Sequence, residues 1–139
     1  MAHWLYKTEP HSWSWDQQIA AGDKGTFWSG VRNFMARGYL QKMQVGDRGF
    51  FYHSGEEKRI LGIVEVIKPY YADHTDPTGK FGMVDVKAVG PLAKPVTLAQ
   101  IRAEPRLADM VLVRNSRLSV QPVTDAEWAL VCEMGGVAG

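Results

Sequence analysis

The chain has 139 residues, one domain's worth on the usual scale of about 100–200 residues per domain. Its 45% apolar and 22% charged residues make up a core-forming composition, which excludes disorder and fibrous repeats. Sixteen Lys and Arg against fifteen Asp and Glu leave a formal charge of +1, so the cationic excess of a nonspecific DNA-coating protein is absent and any nucleic-acid site must be local.

Trp4 to Glu9 is aromatic-rich and closed by Pro10, which predicts an opening strand. Ser14 and Gln17 have capping-box spacing, with Asp16 placed against the helix dipole and Gly22 as a stop, so a short helix is expected from about Trp15 to Ala21. Thr26 to Gly30 reads as a loop. A second helix is expected to start near Asn33, because Phe34, Leu40 and Met43 recur at near-helical intervals, although Gly38 weakens it.

Arg48 to His53 and Ile60 to Ile67 are expected to pair antiparallel across the polar stretch Ser54 to Lys58. Tyr71 to Gly79 reads as a long loop, followed by an alternating strand from Met83 to Val89. Thr97 with Gln100 and Thr124 with Glu127 are further capping boxes, flanking a strand at Leu118 to Gln121, and the tail 135–139 is expected to fray. This order predicts an α+β domain over residues 1–134, built on a mixed or antiparallel sheet that curls towards a small barrel. No internal repeat or linker marks a boundary.

Fourteen of the fifteen aromatic residues lie between Trp4 and Phe81. A core accounts for most of them, since aromatic rings bury large areas. Trp28 stands apart because it sits among small residues in a loop. Residues 24–42 contain Lys24, Arg32, Arg37 and Lys42 and no acid, while 110–123 add Arg114 and Arg117. Basic residues interleaved with aromatics can hold a nucleic-acid backbone while a base stacks, and a solvated helix face has the same composition.

His53 closes an aromatic strand, where a structural hydrogen bond competes with a general-base role. Neither a Ser-His-Asp order nor a Gly-x-Ser-x-Gly elbow supports catalysis, and an enzyme that processes a small molecule or a nucleotide with His53, Glu9 or Lys7 as acid and base is the alternative. Asp73, His74 and Asp76 match no standard cation site, so no metal and no cofactor are expected. The single cysteine, Cys132, forms no intramolecular disulfide and fits a reducing cytoplasm. The N-terminus lacks a signal-peptide core and no run approaches the ~18 apolar residues of a membrane span, so a soluble cytoplasmic protein, monomeric and without a membrane partner, is expected.

Trp4-Leu5-Tyr6-Lys7-Thr8-Glu9-Pro10, Trp28-Ser29-Gly30-Val31-Arg32-Asn33-Phe34-Met35-Ala36-Arg37, Val45-Gly46-Asp47, Phe51-Tyr52-His53-Ser54, Gly62 to Val66 and Arg117 to Val123 together resemble an EVE domain. The resemblance covers nearly the whole chain. It implies a PUA-like fold, a small curled mixed β-barrel with helices packed on it, related to YTH and SRA-type readers. It also implies a non-catalytic partner for nucleic acid, DNA or RNA, with a modified base, methylated cytosine in particular, turned into a pocket. Carried over by position, Trp28 is a pocket wall, Asn33 offers an amide to a base edge, and Ser54, beside Tyr52 and His53, adds a contact at the mouth. Tyr71 supplies a second wall from the long loop. Arg32 and Arg37 hold flanking phosphate, with Lys7 and Arg117 as further candidates; pairing of either arginine with Glu9 is the structural alternative. On this reading Trp28 can be truncated without loss of the fold.

Overall fold

The computed structural model describes residues 1–138. In chain order the elements are β1 (His3–Thr8), α1 (Trp15–Ala20), β2 (Thr26–Phe27), α2 (Phe34–Lys42), β3 (Arg48–His53), β4 (Arg59–Ala72) and β5 (Gly82–Thr97). They are followed by α3 (Leu98–Ala103), α4 (Val111–Arg114), β6 (Val120–Val123) and α5 (Asp125–Met134), with 3-10 turns at Gly22–Lys24 and Pro105–Leu107. The strands form one sheet in the order β2-β5-β4-β3-β1-β6. Only β1 and β3 run parallel, and the crossover such a pair requires is the segment carrying α1, β2 and α2.

The sheet is mixed and curled but open, since β2 and β6 stand at opposite ends of the order. Four register shifts along the β4–β5 pair supply the bending, as bulges do. Strand alternation then separates two cores. Trp4, Tyr6 and Phe51 join Trp15, Trp28 and Val84 on one face, beneath α1 and α2. Leu5, Phe50 and Tyr52 join Ile60, Ile101 and Trp128 on the other, beneath α3 to α5.

All three capping boxes form, at Ser14, Thr97 and Thr124. Gly38 does not break α2, which is nucleated instead by the Asn33 side chain accepting the Ala36 N–H at 3.0 Å. The predicted loop at Thr26 to Gly30 begins with the short strand β2, which pairs with β5. Strand β4 extends to Ala72 and takes Tyr71 out of the predicted loop, because β4 and β5 stay paired as far as Ala72 and Gly82. At the C-terminus the expected fraying is corrected for Gly135 to Val137: the Gly136 N–H donates to the Glu133 carbonyl and the Val137 N–H to the Cys132 carbonyl, a Schellman closure with Gly136 at φ +73°. Residue 139 lies outside the described residues. Among those described, no helix is long and apolar enough to cross a membrane, and no His, Cys, Asp and Glu group has the makings of a metal site.

Candidate nucleic-acid interface

Where β1 ends, Lys7 and Thr8 meet Ser12, Trp13 and the segment Thr26 to Ser29, which begins with β2, around a pocket of about 370 Å³. That volume falls within the range of about 300–1,000 Å³ typical of small-ligand sites. Its aromatic walls are Trp13, Phe27 and Trp28. Trp28 is held most firmly. Its N–H donates to the Val84 carbonyl at 2.8 Å, and its ring packs on Tyr6 at 5.3 Å and edge-on to Phe51 at 5.7 Å. Only 7% of Trp28 is exposed, so it is a core residue whose margin reaches the pocket. Trp13 is fixed by its indole N–H, which donates to buried Gln18 at 2.9 Å; Gln18 in turn donates to the Val86 carbonyl. Phe27 remains 46% exposed at the rim, with His74 packed edge-on at 4.7 Å.

The segment after Trp28 is latched by Asp73. One carboxylate oxygen accepts from the Gly30 N–H at 2.9 Å and from Arg32 at 3.1 Å, while the other accepts the Thr75 N–H and hydroxyl. Burial pushes this carboxyl up, but the Thr75 hydroxyl, the Gly30 and Thr75 N–H groups and the Arg32 guanidinium outweigh it and hold Asp73 at about 2. Asp76 closes the following turn in the same way. The Thr78 hydroxyl, then the Thr78, Phe81 and Lys80 N–H groups, bring it down to about 2 against an opposing effect of burial.

Arg32 is therefore committed to Asp73 and to the Thr75 hydroxyl, and Arg37 donates to the Lys80 carbonyl at 2.9 Å. Neither pairs with Glu9, whose carboxylate meets His11. Arg117 is exposed and has no hydrogen bond or ion pair among the described residues.

Five of the residues assigned to the base site lie outside this pocket: Tyr52, Ser54, Asn33, Tyr71 and His53. Tyr52 faces the opposite core from Trp28, because it is the neighbour in sequence of Phe51 and strand side chains alternate. With Ser54, Lys58, Arg102 and Ser116 it lines a second cleft of about 790 Å³, which shares only Lys7 with the first. Asn33 spends its side-chain oxygen on capping α2. Tyr71 sits on β4, where its hydroxyl donates to Asp85 and Lys68 lies 3.9 Å over its ring. Burial and then the Asp85 carboxylate push that phenol up to about 12.

Lys7 is the hinge of the two cavities: its ammonium donates to the Ser116 carbonyl and lies 5.6 Å over the Tyr52 ring. Half-burial lowers its pKa, and burial raises that of Tyr52 against the opposing field of Arg102.

His53 is the fifth. Its Nε2 accepts the Trp15 N–H at 3.0 Å, which places the proton on Nδ1, donating to Glu57 at 3.0 Å. This contact with His53 is the main cause that holds the Glu57 carboxyl below its ordinary value. Both ring nitrogens are engaged in joining α1 to the β3–β4 hairpin, so His53 has none to offer a substrate proton, and Glu9 and Lys7 are not assembled around it.

The sequence reading missed Trp13, Phe27, Ser29 and Asp73. The repeated Asp-x-Thr of Asp73-His74-Thr75 and Asp76-Pro77-Thr78 is a legible turn signal that marks the latch.

The open mixed sheet is that of a known class: the chain belongs to the EVE domain family, whose model matches residues 2–134. Among its relatives is human thymocyte nuclear protein 1, 33% identical over 96% of this chain and 73% of that protein. A solved structure from Rhodopseudomonas palustris is 59% identical, covers 98% of this chain and 94% of its own, and superposes with a TM-score of 0.93. The structure of human THYN1 in complex with 5-methylcytosine-containing DNA is 32% identical, covers all of both chains and gives a TM-score of 0.92. A YTH domain from Zygosaccharomyces rouxii, at 15% identity and a TM-score of 0.58, shares the fold.

Proposed function

We propose that the chain is a non-catalytic nucleic-acid reader that takes a single base, methylated cytosine foremost, into the pocket between Trp13, Phe27 and Trp28. The observation that carries this reading is a 370 Å³ aromatic pocket with a lysine at its edge, in a chain that superposes end to end on a protein solved with 5-methylcytosine-containing DNA. Stacking contributes about 1–3 kcal/mol per base, and removing a base from a duplex costs a few kcal/mol, so one ring is insufficient. Exposed Phe27 and half-buried Trp13 support stacking better than Trp28, whose ring is packed against Tyr6 and Phe51 and is only 7% exposed. Arg37, Lys7 and Arg117 then serve phosphate, and Arg32 shapes the loop while presenting its half-exposed guanidinium to the same strand.

The protein acts as a monomer, in a reducing compartment that holds nucleic acid, with no metal or cofactor. The test is binding at fixed salt to a panel of single- and double-stranded oligonucleotides with cytosine, 5-methylcytosine or other modified bases. Preferential binding of a modified base is the expected result, and uniform weak binding across the panel refutes it.

A further inference from the structure

Helix α2 carries three features that the folding of the chain does not require. Phe34 and Met35, in its first turn, are 59% and 57% exposed. Gly38 sits in mid-helix, where glycine is unfavourable relative to alanine, yet a Cβ there would meet nothing within 4 Å. Internal packing therefore does not call for the missing side chain. The third feature is Arg37: its guanidinium stacks over Phe34 at 4.8 Å, and its buried Nε has no hydrogen-bond partner.

The surroundings are cationic. Arg37, Lys42 and Lys80 form no ion pair among the described residues, and no acid occurs from Lys24 to Lys42. The acids of the facing loop, Asp73 and Asp76, are buried and turned onto backbone N–H groups. This surface is continuous with the pocket mouth: Phe27 touches His74, the adjacent Asp73 holds Arg32, Arg32 lies over Phe81, and Phe81 packs on Phe34 at 5.0 Å.

The geometry points to α2 as the face that lies against duplex nucleic acid, with Phe34 and Met35 entering the base stack beside the nucleotide turned into the Trp13–Phe27–Trp28 pocket. An exposed apolar wedge flanked by cations fits a base step between two phosphate tracks. Gly38 gives the backbone of α2 a close approach to the strand. The inference rests on the base-reading function proposed above and deepens it: the preferred ligand is a duplex from which the base is extracted.

The experiment compares the parent, Phe34→Ala, Gly38→Gln and Trp28→Phe. The probes are a short duplex carrying one 5-methylcytosine and the single strand carrying the same base, at one salt concentration, with a second duplex holding 2-aminopurine beside the target base. Phe34→Ala is expected to lose about tenfold or more on the duplex, about 1.4 kcal/mol, while holding the single strand within about twofold. It should also show less 2-aminopurine brightening at saturation. Gly38→Gln is expected to melt no lower than the parent and still to lose duplex affinity, a combination that a purely structural role does not produce. Trp28→Phe should weaken both probes. If Phe34→Ala and Gly38→Gln bind the duplex like the parent, or if both probes suffer equally, the role of α2 is overturned while the pocket reading stands on Trp28→Phe. If the parent binds neither probe, the reading of the pocket fails and α2 loses its role with it.

Discussion

Truncating Trp28 separates two views of this tryptophan. If it were only a pocket wall, Trp28→Ala would leave folding intact. The structure places its ring against Tyr6 and Phe51 with 7% exposure, so truncation opens a cavity between the sheet and the loop that precedes α2. Substitutions of buried Trp or Phe by Ala cost about 3–5 kcal/mol, a large fraction of a total stability of about 5–15 kcal/mol. For 139 residues the unfolding entropy near the midpoint is about 0.3 kcal/mol/K, so Tm should fall by about 10–17 °C. The assay is thermal and urea denaturation followed by far-UV circular dichroism. A Tm within about 2 °C of the parent would refute the core assignment. Trp28→Phe, which keeps a ring against Phe51, is the variant that isolates the pocket contribution.

Phe27→Ala should weaken the preferred oligonucleotide by about 1–3 kcal/mol in fluorescence anisotropy, with little change in Tm, because the ring is 46% exposed. Arg37→Gln should flatten the slope of log affinity against log salt by about 0.9 for duplex or about 0.7 for a single strand, without altering base preference. Arg32→Gln should also lower Tm, since Arg32 is tied to Asp73. Asp73 and Asp76 have folded pKa values near 2, below the unfolded value near 3.8. The unfolded chain therefore binds more protons between these values, and stability should fall as pH drops from about 4 through about 2. Asp73→Asn should reduce that slope in acid denaturation; an unchanged slope refutes the latch. His53→Gln should destabilise by about 1–3 kcal/mol through the lost Trp15 and Glu57 contacts, and its affinity for oligonucleotides should match the parent once measured well below Tm.

Much of this protein follows from its sequence alone because the responsible interactions are local. A capping box closes within four residues, so Ser14, Thr97 and Thr124 announce α1, α3 and α5 directly. The β3–β4 hairpin is equally legible from two apolar runs and a polar turn, and the EVE motifs, read in order, place the chain in its family.

The site was less legible than the fold. Trp28, Arg32 and Arg37 stand out by composition, but which face of the sheet each residue serves is set by register, and one position along a strand reverses it. Tyr52 and Phe51 are adjacent in sequence and line opposite cores for that reason alone. Trp13 and Phe27 join the pocket through a capped helix and a two-residue strand whose partner, β5, lies some sixty residues away. Asp73 reaches Gly30 and Arg32 across more than forty residues. Long-range pairing of this kind depends on how the long β4–β5 ladder bends, a property of the assembled sheet, so only the tertiary structure decided which aromatics are core, which are pocket and which arginine is held by a buried carboxylate.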